Sequence, residues 1–140
     1  MTYMTNMGKI LLIEDDPLMM RLYKKVFERN GFEVEIAERG PEGLAKAESS
    51  KPDLILLDIM MPEMDGFEVL KRLKENPSTH DVKVIALTNL AGEEDAKKAI
   101  ELGAVRYIIK SEHDPEEVVK SSKEVLGKDL GGEQAPDSNE

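Results

Sequence analysis

The sequence predicts an α/β fold built on a parallel sheet with helices on both faces. The first observation is that short apolar runs alternate with helix-like stretches five times along the chain, which is the pattern of repeated strand–helix units. The second is length, because 140 residues correspond to one domain of the usual size of about 100–200 residues. Strands joined by single helices are parallel, since a parallel pair requires a crossover connection.

The individual elements follow from the spacing of apolar residues. Five apolar runs predict strands at residues 10–13, 34–36, 54–57, 82–87 and 105–109. Apolar residues at helical spacing follow each strand. They are, helix by helix, Leu18, Leu22 and Val26; Leu44 and Ala47; Phe67, Leu70 and Leu73; Ala96, Ala99 and Ile100; and Val118, Val119, Val125 and Leu126.

The composition of the strands predicts their order. The first, third and fourth runs are almost continuously apolar, which is typical of central parallel strands covered on both faces. The second alternates with glutamates and the fifth contains Arg106, so both are expected at the edges. Strand order 2-1-3-4-5 satisfies all five observations and corresponds to a flavodoxin-like, doubly wound fold.

Charge and composition exclude several function classes. The formal net charge is -10, from 29 acidic and 19 basic residues, which disfavours binding to nucleic acid or to an anionic membrane. No cysteine is present, so disulfides and thiolate zinc sites are excluded. No apolar run reaches about 18 residues, and residues 1–7 lack a signal-peptide pattern. We therefore expect a cytoplasmic protein with an extended or disordered segment 1–8, a domain 9–127 and a disordered acidic tail 128–140.

Polar residues stand at the carboxyl ends of the predicted strands. In a doubly wound parallel sheet, ligands bind at this edge, where the strand order reverses. Three acids, a hydroxyl group and an ammonium group are expected to converge there, with a tyrosine on the fifth strand. The residues are Glu14, Asp15, Asp58, Thr88, Tyr107 and Lys110.

Some acids near these positions have a purely structural explanation. Asp16 precedes Pro17, and an aspartate at the N-cap with proline at the first helical position is a favourable helix start. Asp65 is expected to cap the third helix, with Glu68 completing a capping box. Capping does not explain the two acids before Asp16. The coincidence of polar groups at strand carboxyl ends, with none at the amino ends, favours a functional site.

The chemistry of this set indicates phosphoryl transfer. Clustered carboxylates repel one another unless a cation intervenes, and oxygen ligands with open positions suit Mg²⁺. A divalent ion beside an aspartate, a lysine and a hydroxyl group is suited to phosphoryl oxygens. An aspartate can itself be the nucleophile and form an aspartyl phosphate. The expected reaction is Mg²⁺-dependent phosphorylation of Asp58.

The segment Asp-Ile-Met-Met-Pro-Glu-Met-Asp-Gly at residues 58–66 closely resembles the phosphoacceptor segment of response-regulator receiver domains in two-component signalling. The Glu14–Asp15 pair, Thr88, Tyr107 and Lys110 also stand at the spacings of that family. The resemblance extends over about residues 9–126.

The resemblance implies a role for each residue. Asp58 would accept the phosphoryl group from a histidine kinase or a phosphotransfer protein, and Lys110 would pair first with Asp58 and then with a phosphoryl oxygen. Thr88 would bond the phosphoryl group while Tyr107 swings inward, which changes the surface offered to a downstream protein. The implied Mg²⁺ ligands are the carboxylates of Asp15 and Asp58, the main-chain carbonyl of Met60, and Glu14 through water.

The chain departs from the family pattern at two positions. Ser111 stands after Lys110 where the family usually has proline, often in a cis peptide, so we expect either a trans bond with an altered loop or a strained cis bond. Asn89 stands where a small residue is common, and its amide would either crowd the phosphoryl entrance or make a polar contact there. Met60 and Leu90 occupy positions that tune phosphoryl lifetime in the family, and neither can hydrogen-bond an attacking water. This predicts slow self-dephosphorylation.

Three function classes remain open from the sequence. The favoured one is a phosphoacceptor signalling domain that catalyses only its own phosphorylation and slow dephosphorylation and acts through protein–protein contacts. The second is an enzyme on the same fold, such as a phosphatase or a flavin protein. However, the first helix lacks a Ser/Thr- or Gly-rich phosphate loop, and no second acid follows Asp58 at a spacing of two. The third is a receiver fragment of a longer transcription factor or hybrid kinase.

Overall fold

The computed structural model describes residues 7–128. The strands of its single sheet are β1 (Gly8–Ile13), β2 (Phe32–Ala37), β3 (Leu54–Leu57), β4 (Lys83–Thr88) and β5 (Arg106–Ile109). The helices are α1 (Pro17–Arg29), α2 (Gly40–Ser50), α3 (Gly66–Glu75), α4 (Glu93–Glu101) and α5 (Pro115–Val125), with a short 3₁₀ helix at Lys110–Glu112.

The sheet is parallel throughout, with the order β2-β1-β3-β4-β5. This confirms both the predicted fold class and the predicted order. All four residues of β3 are fully buried, as expected for a central strand covered on both faces. The reversal of strand order lies between β1 and β3, whose last paired residues are Ile13 and Leu57.

Helices cover both faces of the sheet and enclose two apolar cores. On one face, Tyr23 and Phe27 of α1 and Val118 of α5 pack against the sheet. On the other face, α2, α3 and α4 contribute Ala47, Leu70 and Ala99 among others. Burial of this kind contributes roughly 25 cal/mol for each Å² of apolar surface.

The buried face of α1 differs from the predicted one. Leu18 is 65% exposed and Leu22 is 40% exposed, whereas Val26 is buried. A spacing of four residues drifts by about 40° per step around a helix of 3.6 residues per turn, so the three residues do not share one buried face. Tyr23 and Phe27 instead occupy the centre of the face that meets the sheet.

Aspartate side chains cap the N-termini of α1 and α3, the helices that follow the carboxyl ends of β1 and β3. Oδ1 of Asp16 accepts hydrogen bonds from the main-chain N–H groups of Leu18 (2.9 Å) and Met19 (3.5 Å), which confirms the predicted cap of α1. Asp65 caps α3 by accepting from the N–H of Glu68 at 3.0 Å. The predicted capping box at α3 is wrong, because the Glu68 carboxylate accepts instead from Nε of Arg72 at 2.7 Å.

Residues 1–6 and 129–140 lie outside the described residues, and with them most of the predicted N-terminal segment and acidic tail. Within 7–128, none of the helices combines the length and the apolar character needed to cross a membrane.

Candidate functional site

Three of the predicted acids meet at the carboxyl edge of the sheet. Glu14 and Asp15 follow β1, Asp58 follows the adjacent β3, and one carboxylate oxygen from each lies within 4.8 Å of the others. Glu14 and Asp58 are buried, while Asp15 is exposed. The three acids therefore form a pocket of negative charge with one side open to solvent.

Within residues 7–128, Lys110 is the only positively charged residue whose side chain contacts the acidic cluster. It follows β5, and its side chain reaches across the end of β4. Nζ lies 2.6 Å from Oε1 of Glu14 and 3.4 Å from Oδ2 of Asp58, with all three side chains almost entirely buried. The ammonium group is therefore held more closely by Glu14 than by Asp58.

Each carboxylate oxygen of Glu14 has a hydrogen-bond partner within the chain. The residue is 1% exposed, and while Oε1 binds Lys110, Oε2 accepts from the main-chain N–H of Asp16 at 3.1 Å. Burial raises the pKa of Glu14, and the neighbouring Lys110 ammonium opposes this effect. Glu14 thus anchors the lysine in a buried ion pair, which is favourable only when the remaining polar atoms are also satisfied.

Asp58 is held in one orientation by its own loop. Its Oδ1 accepts from the main-chain N–H of Met60 at 3.0 Å, which leaves Oδ2 directed toward Lys110. Gly66, the first residue of α3, packs directly against this segment. A Cβ atom added at Gly66 would lie 2.5 Å from the main-chain oxygen of Asp58, so a side chain is not accommodated there.

Thr88 and Tyr107 meet at the loop that follows β4. Thr88 is fully buried, and its hydroxyl oxygen accepts from the N–H of Leu90 at 3.3 Å. The Tyr107 hydroxyl donates to the carbonyl of Leu90 at 2.8 Å, and burial raises the pKa of Tyr107. In the described part of the chain neither hydroxyl hydrogen-bonds to the carboxylate cluster.

A contact that the sequence did not predict joins two loops of the site. The main-chain N–H of Ser111 donates to Oδ1 of Asn89 at 3.0 Å, and the Lys110–Ser111 peptide is trans. The trans alternative for the departure at Ser111 is therefore the correct one. Both residues were visible as departures from the family pattern. The sequence feature that could have indicated their pairing is that Asn89 follows the end of β4 and Ser111 follows the end of the adjacent β5.

Met60 and Leu90 flank the site with apolar surface. The Met60 side chain is 56% exposed, and both residues line a hollow of about 440 Å³ together with Phe67. The Met60 N–H contacts Asp58, whereas metal binding by the Met60 carbonyl stays a prediction.

The donor set is compatible with a hard divalent cation. All three clustered groups are carboxylates, and oxygen ligands at an open site match the preference of Mg²⁺. One lysine leaves the cluster with a net charge of -2, counting Glu14, Asp15, Asp58 and Lys110. A bound cation would compensate this charge.

Comparisons with known proteins point in the same direction. A family model described as the response regulator receiver domain matches residues 10–123. The chain is 39% identical over 103 residues to the response regulator PleD of Caulobacter vibrioides, covering 74% of this chain and 23% of that protein. It is 39% identical over 118 residues to the alkaline phosphatase synthesis transcriptional regulatory protein PhoP of Bacillus subtilis, covering 84% and 48%. The chain thus spans less than half the length of these curated relatives.

Solved structures resemble the fold over most of the chain. The chemotaxis protein CheY4 of Vibrio cholerae superimposes with a TM-score of 0.79 at 29% identity, covering 84% of this chain and 98% of that one. A CheY-like receiver domain protein of Methanospirillum hungatei gives a TM-score of 0.79 at 32% identity, covering 91% and 96%. The Mn²⁺-bound response regulator Rcp1 gives 0.70 at 30% identity, covering 83% and 91%.

Proposed function

We propose that Asp58 accepts a phosphoryl group from a phosphohistidine, because the chain belongs to the response regulator receiver domain family and Asp58 is a buried member of its acidic cluster. The observation that carries this proposal is the position of one buried ammonium group between two buried carboxylates. Lys110 lies 2.6 Å from Glu14 and 3.4 Å from Asp58. These two distances support a role for Lys110 in binding a phosphoryl oxygen on Asp58.

The transfer step follows from the contacts of Asp58. The Oδ2 atom, which faces Lys110, attacks phosphorus and forms the acyl phosphate. The donor ring carries a proton on its other nitrogen, so when the bond between phosphorus and the imidazole nitrogen breaks and its electron pair stays on that nitrogen, the imidazole leaves as the neutral base. The Met60 N–H holds the other Asp58 oxygen and orients the nucleophile, which lowers the entropic cost of reaching the reactive geometry.

The proposed cofactor is Mg²⁺, held by the carboxylates of Asp15 and Asp58, the Met60 carbonyl, and Glu14 through water. When bound, the cation supplies positive charge that compensates the phosphoryl oxygens and the clustered acids. The similar response regulator Rcp1 is known in a Mn²⁺-bound form, which supports a divalent cation here. Asp15 is exposed, so the ligand that completes the cluster is open to solvent.

The proposed signal is a rearrangement of the loop after β4. A phosphoryl group on Asp58 adds negative charge and hydrogen-bond acceptors next to Lys110 and Thr88. The Thr88 hydroxyl, whose oxygen accepts from the Leu90 N–H, donates its own proton to a phosphoryl oxygen and moves toward Asp58 with the loop that follows it. Since Tyr107 is bonded to the Leu90 carbonyl, displacement of this loop releases the tyrosine and changes the surface around α4 and β5.

The proposed partners follow from the chemistry of the acceptor. Receiver domains accept phosphoryl groups from histidine kinases, so the donor is a sensor histidine kinase or a histidine phosphotransfer protein in the cytoplasm. Residues 9–127 form the receiver unit, and a downstream protein binds its phosphorylated surface. This unit itself has no role in binding nucleic acid or membrane, given its negative charge.

Slow loss of the phosphoryl group is part of the proposal. Hydrolysis requires a water molecule oriented toward phosphorus, and the Met60 and Leu90 side chains beside the site are apolar. Neither offers a hydrogen bond to an attacking water. The domain therefore promotes its own phosphorylation more effectively than its own dephosphorylation.

The proposal is tested by exposing the protein to acetyl phosphate and measuring its intact mass with and without Mg²⁺. We expect the mass of one phosphoryl group on the wild type with Mg²⁺, little without it, and none on Asp58→Asn. Asp81→Asn is the matched control, because it makes the same chemical change in a side chain that is 94% exposed. Equal modification of wild type and Asp58→Asn would contradict the assignment.

A further inference from the structure

We propose that Asn89 is a positioning residue that couples the two loops flanking the phosphorylation site. Its Oδ1 accepts from the main-chain N–H of Ser111 at 3.0 Å. One loop directly follows Thr88, the last residue of β4, and the other begins at Lys110 after β5, so this bond joins the segments next to the two groups proposed to bind the phosphoryl oxygens. The inference rests on the function proposed above and adds a mechanical link within the same site.

The bond continues the sheet beyond its last main-chain pair. Thr88 and Ile109 are the final partners of β4 and β5. After them, the chain turns into the 3₁₀ helix at Lys110–Glu112, and main-chain pairing ends. The Asn89 side chain then supplies the acceptor for the Ser111 N–H, so the two strands remain joined one step further along.

The two departures from the family pattern are complementary in this arrangement. Proline at position 111 would have no N–H to donate, and a small residue at position 89 would have no side-chain acceptor. Asparagine and serine at these positions supply one acceptor and one donor. Asn89 is therefore explained by a polar contact rather than by obstruction of the phosphoryl entrance.

The direction of the bond determines its effect on the switch. β4 lies between β3, which carries Asp58, and β5, which precedes Ser111. Movement of the loop after β4 toward a phosphoryl group on Asp58 therefore moves Asn89 away from Ser111 and stretches the bond. The Tyr107–Leu90 bond restrains the same loop from the same side. The Asn89–Ser111 bond therefore holds the unphosphorylated arrangement and weakens the response to a phosphoryl group.

The test compares binding of beryllofluoride, a phosphoryl mimic, in the presence of Mg²⁺. Asn89→Ala removes the acceptor, Ser111→Pro removes the donor, and Ser111→Ala is the matched control that retains the main-chain N–H. We expect half-saturation at a concentration about two- to fivefold lower in Asn89→Ala and in Ser111→Pro. This range, about 0.4–1 kcal/mol, overlaps the lower part of the net contribution of about 0.5–1.5 kcal/mol for one hydrogen bond. Ser111→Ala should match the wild type.

The double variant separates coupling from obstruction. If Asn89 acts through Ser111, Asn89→Ala has no further effect in the Ser111→Pro background. A gain that persists there indicates that the side chain obstructs the entrance and overturns the proposal. Equal half-saturation in wild type and Asn89→Ala also overturns it.

Amide hydrogen exchange at Ser111 measures the bond without any phosphoryl mimic. The exchange should be about two- to fivefold faster in Asn89→Ala than in wild type, because the protecting bond is lost. Unchanged exchange contradicts the coupling. If the wild type does not bind beryllofluoride, both the proposed function and the positioning role of Asn89 are wrong. If the wild type and Asn89→Ala bind beryllofluoride with the same half-saturation, only the positioning role is wrong.

Discussion

Replacing Asp58 with asparagine should stabilise the protein when no divalent cation is bound. Asp58 is buried between two other carboxylates and one lysine. The substitution removes a negative charge and keeps a side-chain oxygen for the Met60 N–H, while the amide NH2 group takes the place of the oxygen that faces Lys110. It also leaves the closer pair between Lys110 and Glu14 intact, at 2.6 Å.

The size of the effect follows from the distances. At an effective dielectric constant of about 20, two carboxylates within 4.8 Å repel by about 3.5 kcal/mol or more. Asp58 has two such neighbours, so the total repulsion is about 7 kcal/mol. The attraction to Lys110 at 3.4 Å offsets about 5 kcal/mol of it. The balance is a repulsion of about 2 kcal/mol, which solvent around the exposed Asp15 reduces. We therefore expect Asp58→Asn to raise the free energy of unfolding by about 1–2 kcal/mol.

Urea unfolding with EDTA present measures this difference, with Asp81→Asn as the control for loss of one negative charge. Added Mg²⁺ should reduce the difference in the free energy of unfolding between Asp58→Asn and wild type. A ligand at ten times its dissociation constant stabilises the native wild type by about 1.4 kcal/mol. An Asp58→Asn variant less stable than wild type in EDTA would refute the reasoning. Equal stabilisation of both proteins by Mg²⁺ would refute it as well.

Three other predictions concern residues around the site. Burial raises the pKa of Tyr23 to about 12, so the unfolded chain ionises first and wild type should lose about 1.4 kcal/mol of stability by about pH 11. Tyr23→Phe should lack this loss in urea unfolding, and equal losses would contradict it. Gly66→Ala should cost about 1–3 kcal/mol or more, because its Cβ would meet the Asp58 carbonyl at 2.5 Å. Gly92→Ala, which meets only a flexible carboxylate oxygen at 3.0 Å, should cost less than about 1 kcal/mol, and similar costs would be contrary evidence. Met60→Asn should shorten the lifetime of the phosphorylated protein several-fold after acetyl phosphate is removed, whereas an unchanged decay would show that Met60 does not protect the phosphoryl group.

The fold was largely predictable because burial on both faces leaves a clear pattern in the strands. Apolar residues at every position of β3, and glutamates alternating in β2, were sufficient to place one strand centrally and the other at an edge. The apolar face of α1 was misplaced, since Leu18 and Leu22 follow a spacing that drifts around the helix. Three-dimensional packing, rather than local spacing, determines which stripe meets the sheet.

The site was predictable to the extent that strand ends determine position. Glu14, Asp15, Asp58 and Lys110 each follow a strand, and a parallel sheet brings such residues to one edge. Side-chain orientation was not predictable by this route. The preference of Lys110 for Glu14 depends on burial and on hydrogen bonds that form only in the folded protein.

The pairing of Asn89 with Ser111 illustrates the same limit. Each residue was recognisable as unusual at its position, but a contact between two loops depends on the direction in which each loop leaves the sheet. The short helix at Lys110–Glu112 turns the Ser111 N–H toward Asn89, and the sequence carries no periodic signal for that turn.

The central claim is that Asp58 itself receives the phosphoryl group. The most direct test treats the phosphorylated protein with borohydride, which reduces an aspartyl phosphate to homoserine, and then locates the change by peptide mass spectrometry. We expect homoserine at position 58, only after incubation with Mg²⁺ and a phosphoryl donor. Homoserine at position 15, or a phosphorylated protein in which residue 58 is still aspartate after reduction, would contradict the account.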